Sequence, residues 1–209
     1  IVMKYVIIGA GGTGGILGFY MTKAGKDVTL IARNAHLAAM KEQGLTVRHL
    51  WDGTTETVQV KAENMETYES MIASAGEAAK PDVILVCVKG YSLDNTVPFI
   101  QKIAKKSTIV IPILNIYGTG SRLQKKLPEL LVTDGCIYVS ANIEGPGVLV
   151  QHGKILRVVF GVREKSEFRE ELKGIAKDFS DSGISGELSE NIRRDALEKF
   201  SYVSPIGTA

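Results

Sequence analysis

The chain has 209 residues, 44% of them hydrophobic, and is long enough to bury a sizeable core. Its 25 basic and 23 acidic residues are interspersed and nearly cancel, to a formal net charge of +2, which argues against a nucleic-acid surface. The apolar run near the N-terminus is too short to cross a bilayer and lacks a secretory pattern, so a soluble, cytoplasmic protein without a membrane partner is expected.

In chain order, the first expected element is a strand over residues 4–9, built on Tyr5-Val6-Ile7-Ile8. It runs straight into Gly9-Ala10-Gly11-Gly12-Thr13-Gly14, and a helix is expected over 12–24. Strand, glycine turn and helix start follow in the order that a dinucleotide-binding βαβ unit requires. Gly9 allows the sharp turn, Gly11 lacks the Cβ that would block a pyrophosphate, and Gly14 lets helix and strand pack closely. Free N–H groups and the helix dipole then face the anion. Glycine turns also arise for structural reasons alone, but this one, set between a buried strand and a helix, favours a cofactor site.

The second strand is expected over 27–32 and ends about 20 residues past the glycines, where a dinucleotide fold reads the ribose. An NAD site places Asp or Glu there. This chain has no acid between Ile31 and Lys41 and has Arg33 instead. A guanidinium offers forked donors that match a phosphate and can stack on adenine, so NADPH/NADP+ is the expected cofactor. The plainer alternative is a solvated loop cation.

A helix over 36–43 follows, then strands over 45–50 and 56–60 flanking Trp51-Asp52-Gly53-Thr54, a hairpin expected at an edge of the sheet. Next come a helix over 66–79, a buried strand over 82–88, a helix over 93–105 with Pro98 near its first turn, and a strand over 108–113. A helix over 118–127 and a strand over 135–141 precede a hairpin of 148–151 with 155–160 around His152-Gly153-Lys154. The chain continues with a helix over 166–180 that stops by Gly183 and a short strand over 184–188. The alternation is that of an α/β protein with a Rossmann-type, doubly wound parallel sheet covered on both faces, over residues 1–188. Cys87 and Cys136 both sit in apolar runs and are expected to be reduced core thiols, with no metal site. The basic clusters at 102–106 and 122–126 read as solvated helix faces.

Lys89 and Asn115 fall just past the carboxyl ends of central strands, where α/β enzymes keep their chemistry. Read from the residues alone, a solvated lysine and a turn-forming asparagine are equally good accounts. From Ser189, a plausible N-cap, a final helix carries Leu197, Phe200, Val203 and Ile206 on one apolar face, with Pro205 breaking it near the end. That face has no later partner in sequence. Residues 189–209 are therefore expected to begin an all-helical C-terminal domain that is cut off, with the face covered by that domain or by another copy in a homodimer. A short helix docking back on the sheet is the alternative. Lys199 stands among apolar neighbours, where a partly desolvated lysine can donate a proton, although a snorkelling surface lysine is the commoner case.

Taken together, GAGGTGG at 9–15, LIAR at 30–33, VKG at 88–90, PILN at 112–115, the Pro146-Gly147 turn followed by His152-Gly153, and NIRRDALEKF at 191–200 resemble the ketopantoate reductase (2-dehydropantoate 2-reductase) family over essentially the whole chain. The resemblance implies a Rossmann-type domain and an all-helical domain with the active site between them. It implies that Arg33 holds the 2′-phosphate of NADPH, that Lys89 lies by the ribose and nicotinamide, and that Asn115 orients nicotinamide and substrate. Lys199 would be the general acid. The implied reaction moves a hydride from C4 of NADPH to the C2 ketone of ketopantoate, giving D-pantoate, a precursor of pantothenate and coenzyme A. Two positions depart from the family pattern: Val203 stands where many members have a substrate-binding asparagine, and Gly207 stands near a second. Three readings follow. They are a ketopantoate reductase, a reductase of another 2-keto or 3-keto acid, and a non-catalytic module that senses NADP(H).

Overall fold

The computed structural model describes residues 2–88, 92–114, 118–192 and 194. From the N-terminus, β1 (Lys4–Ile8), α1 (Gly14–Lys23), β2 (Asp27–Ile31) and α2 (Asn34–Gln43) form the first βαβα unit. They are followed by β3 (Leu45–His49), β4 (Thr55–Val58), β5 (Lys61–Glu63), α3 (Met65–Ala75), β6 (Val83–Val86), α4 (Leu93–Ile103), β7 (Ile109–Pro112), α5 (Thr119–Lys126) and β8 (Leu131–Val132). The remainder comprises β9 (Asp134–Tyr138), β10 (Ala141–Gly145), β11 (Val148–Gln151), β12 (Arg157–Gly161), α6 (Glu171–Asp181) and β13 (Ser185–Leu188).

Six strands pair in parallel in the order β5-β2-β1-β6-β7-β8, the order of a doubly wound dinucleotide-binding sheet. Its central strands read as continuous apolar runs because both faces are covered: β6 and β7 are buried at every position. Alternate side chains supply two cores. Tyr5, Ile7, Leu30, Leu85 and Ile111 pack with α1 and α6, while Val6, Ile8, Ile84, Val86 and Val110 pack with Tyr68 and Ile72 of α3, Phe99 and Ile100 of α4, and Leu123 of α5.

Helix α1 buries nearly its whole circumference, from Gly14 through Phe19 and again at Met21. On one side lies the main sheet. On the other lies a second, four-stranded sheet ordered β10-β11-β3-β4. A Cβ on Gly18 would come within 2.6 Å of Leu30 in β2, and one on Gly15 within 2.7 Å of Leu149 in β11. These two glycines let a sheet approach α1 from each side. The Tyr20 hydroxyl donates to Gln151 Oε1 at 2.7 Å, tying the helix to β11.

Several expected elements are differently arranged. Strands β3 and β4 do form an antiparallel hairpin, but in the second sheet and not at the edge of the first. That edge belongs to β5, whose three residues are too few to show a pattern in sequence. The expected hairpin of 148–151 with 155–160 does not form. β11 pairs antiparallel with β10 and parallel with β3, whereas β12 pairs with β9 and β13 in a third sheet. The turn chemistry explains this: Gly147, at φ +75°, closes β10 onto β11, while His152-Gly153-Lys154 carries the chain between sheets. Helix α3 stops at its Gly76 cap and not before Pro81, and α6 begins at Glu171 after a short 3₁₀ turn with a capping box between Glu164 and Glu167. Pro98 sits mid-helix in α4 on the exposed face.

At the C-terminal end, Asn191 and not Ser189 makes the capping bond: Asn191 Oδ1 accepts from the Arg194 N–H at 3.1 Å, and Ser189 Oγ accepts from the Asn191 N–H. Ile192 is buried against Cys136 and Val159. The expected apolar face at Leu197, Phe200, Val203 and Ile206 lies outside the described residues. Among those described, no helix is long and apolar enough to cross a membrane.

The packing sets a stability prediction. Phe160 is fully buried and meets Phe179 edge-on, with ring centroids 5.9 Å apart. Phe160→Ala should lower unfolding free energy by about 3–5 kcal/mol in a denaturant titration. The same change at half-exposed Phe168 should cost less than about 1 kcal/mol.

Candidate cofactor-binding site

Order in the main sheet reverses beside β1: β2 and β5 lie on one side, β6, β7 and β8 on the other. The carboxyl ends of β1 and β6 therefore border the crevice where such sheets bind ligands. Two backbone bonds hold this edge together. The Gly9 N–H donates to Ile31 O at 3.0 Å, and the Cys87 N–H donates to Ile8 O at 2.8 Å.

The glycines of the turn are required for different reasons. Gly9 has φ +100°, and a Cβ there would lie 2.9 Å from the Cys87 carbonyl oxygen. On Gly14 it would overlap the Gly9 carbonyl oxygen, so helix and strand touch through bare backbone. On Gly12 it would overlap the carbonyl oxygen of Ala141 in β10. Gly11 differs from the rest. Its φ is unremarkable, and a Cβ there would meet only the tip of Ile143, at an ordinary 3.9 Å. Among the described residues, nothing in the packing needs glycine at 11.

The first rung of α1 is Gly15 N–H to Gly11 O at 2.8 Å, so the N–H groups of Gly11, Gly12, Thr13 and Gly14 precede the ladder. Thr13, at the N-cap, makes no side-chain capping bond, and the first turn holds no acid. The positive end of the helix is left uncompensated, which suits a phosphate.

Arg33 follows β2 as the N-cap of α2, in extended conformation. It is exposed, and among the described residues no carboxylate or other group pairs with its guanidinium. Asn34 beside it adopts φ +58°, a left-handed conformation that asparagine tolerates. In space an acid does stand at the end of β2: Glu63 of β5 lies in register with Ile31, and it is engaged by Lys41 at 3.1 Å.

One site residue was not anticipated. His36, in the first turn of α2, contacts Ala10 O through Nε2 at 2.7 Å and accepts the Gly147 N–H at Nδ1 at 2.9 Å. It joins the glycine turn to the β10–β11 turn. Its only sequence signal is a spacing of three from Arg33, which puts both on the first turn of one helix. The other expected site residues, Lys89, Asn115, Lys199 and Val203, lie outside the described residues.

Both cysteines are free. Cys136 is buried as expected, whereas Cys87 is partly exposed. Burial of its sulfur nevertheless pushes the Cys87 thiol up to about 12.

A glycine turn at the reversal point of a parallel sheet in this order defines a Rossmann-type α/β unit of the dinucleotide-binding class. The family profile "Ketopantoate reductase PanE/ApbA" matches residues 5–165, and the chain belongs to that family of NAD(P)H-dependent oxidoreductases. A 2-dehydropantoate 2-reductase of Pyrococcus horikoshii is 29% identical over 216 residues, covering 98% of this chain and 63% of that protein. The crystal structure of 2-dehydropantoate 2-reductase from Porphyromonas gingivalis W83 superposes with a TM-score of 0.83 at 25% identity, over 98% of this chain and 70% of that one. The ternary structure of D-mandelate dehydrogenase with NADH and anilino(oxo)acetate superposes at 0.79 with 26% identity, over 94% of this chain and 60% of that one. The chain spans 62–64% of the length of three curated relatives that it matches.

Two outcomes follow from the geometry. Gly12→Ala should destabilise the fold by about 1–3 kcal/mol, while Gly11→Ala should stay within about 0.5 kcal/mol of the parent in thermal unfolding. Cys87, with its thiol protonated far above neutrality, should resist iodoacetamide at pH 8 in the native protein and react after unfolding, as read by mass spectrometry.

Proposed function

We propose that this protein uses NADPH to reduce the C2 ketone of 2-dehydropantoate (ketopantoate) to D-pantoate. The observation that carries the cofactor choice is Arg33: an exposed guanidinium with no partner among the described residues, at the end of β2, where NAD recognition needs a carboxylate. The donor set fits a phosphorylated dinucleotide. N–H groups ahead of the α1 ladder would take the pyrophosphate, the bare face of Gly11 would let it approach, and Arg33 would take the 2′-phosphate. Ketopantoate as substrate rests on the family and on relatives named for that reaction.

NADPH, when bound, supplies the hydride. The remaining roles follow the family pattern in the sequence. Lys89 contacts the ribose and nicotinamide end, and Asn115 orients nicotinamide and substrate. As hydride reaches the ketone carbon, negative charge builds on its oxygen. The Lys199 ammonium stabilises that charge and supplies the proton. Val203, four residues past Lys199 in sequence, would border the substrate. This activity would serve pantothenate and coenzyme A synthesis in the cytoplasm, carried out by a homodimer.

A second reading, reduction of another 2-keto or 3-keto acid, is favoured by Val203 and Gly207, which replace family asparagines. It is supported too by the similarity to a D-mandelate dehydrogenase. The test is oxidation of NADPH, followed by absorbance, with ketopantoate and with phenylglyoxylate on the full-length protein. Turnover with ketopantoate that falls by orders of magnitude in Lys199→Ala, with NADPH affinity retained, is the expected result. Turnover confined to phenylglyoxylate would favour the second reading. Arg33→Ala should weaken NADPH by about 10- to 100-fold and leave NADH nearly unchanged. Equal losses would place the 2′-phosphate elsewhere.

A further inference from the structure

His36 is the histidine that touches the glycine turn, and its hydrogen bonds determine its tautomer. The Gly147 N–H can only donate, so Nδ1 must offer a lone pair. The proton of the neutral ring then sits on Nε2 and is donated to the Ala10 carbonyl at 2.7 Å. Ala10 is buried, and its carbonyl precedes the α1 ladder, whose first acceptor is Gly11 O. His36 is therefore what satisfies it.

The Ala10 carbonyl and the Gly11 N–H belong to the same peptide unit. In a planar trans peptide they point in opposite directions. No cis peptide occurs among the described residues. Holding the carbonyl toward His36 thus turns the Gly11 N–H away from it, on the residue where a Cβ would meet only the tip of Ile143 at 3.9 Å. We infer that His36 is a positioning residue for the cofactor: its Nε2–H locks the Ala10–Gly11 peptide so that the Gly11 N–H is presented to the pyrophosphate. The inference rests on the cofactor reading above. It differs from the role of Arg33, since a pyrophosphate is common to NADPH and NADH.

The two ring nitrogens can be tested separately. In His36→Gln the side-chain amide nitrogen falls near the Nε2 position and keeps the donor to Ala10. In His36→Asn the amide oxygen falls near Nδ1 and keeps the acceptor for Gly147. Dissociation constants for NADPH and NADH would be measured on the full-length protein for the parent, both variants and His36→Ala, with unfolding midpoints recorded without nucleotide. His36→Asn and His36→Ala are expected to weaken both nucleotides by about tenfold and by similar factors. His36→Gln should recover most of the affinity, even where its midpoint matches that of His36→Asn. A purely structural role predicts affinities that do not separate Gln from Asn at equal midpoints, and that result would overturn the inference. So would His36→Ala affinities within twofold of the parent. A parent that binds neither nucleotide would remove the cofactor reading, and this inference with it.

Discussion

Backbone contact between α1 and the end of β1 is the constraint on which the rest of the structure depends. Gly14 lies so close to the Gly9 carbonyl that no side chain fits between them. Gly15 and Gly18 extend the same closeness to Leu149 in one sheet and Leu30 in the other. A helix with a bulkier surface would separate these layers and open cavities along both. The bonds of Gly9 to Ile31 and of Cys87 to Ile8 then fix the carboxyl ends of β2, β1 and β6 in one plane. The site is an outcome of this packing. The helix N-terminus projects at the reversal point because the helix has nowhere else to lie.

The electrostatics of that edge follow from what is missing from it. The first turn of α1 holds no acid, and the carboxylate at the end of β5 is occupied by Lys41. Neither feature offers a partner to the cation at 33. Ordinary surface lysines elsewhere are mostly paired, such as Lys26 with Asp178 and Asp181, or Lys105 with Asp82. An arginine that is exposed and has no partner among the described residues has more to gain from a phosphate than from solvent.

The fold was legible wherever local chemistry and tertiary packing agree. β6 and β7 are apolar at every position, and β1 at all but Lys4, because both faces are covered, and the glycine turn announces its own geometry. β5, β8 and β10 were not legible. With two to five residues each, they owe their pairing to neighbours, and β10 is largely exposed, so it carries no apolar period. The misassigned hairpin has the same origin. A His-Gly-Lys stretch looks like a turn, yet Leu149 and Val150 are needed against β3 and α1, while Val158 and Phe160 are needed in the core beside α6. In the candidate site, the geometry of the glycine turn was readable because it is carried by the turn's own backbone. His36 was not, because its partners Ala10 and Gly147 are 26 and 111 residues away and both are backbone atoms.

The central claim is that this turn, with Arg33 beside it, is built for a 2′-phosphorylated dinucleotide. Calorimetric titration of the full-length parent protein with NADPH and then with NADH tests it most directly. Binding of NADPH at least about tenfold tighter than NADH is the predicted result, one charge-assisted contact being enough to produce that ratio. Equal affinities, or tighter binding of NADH, would contradict it.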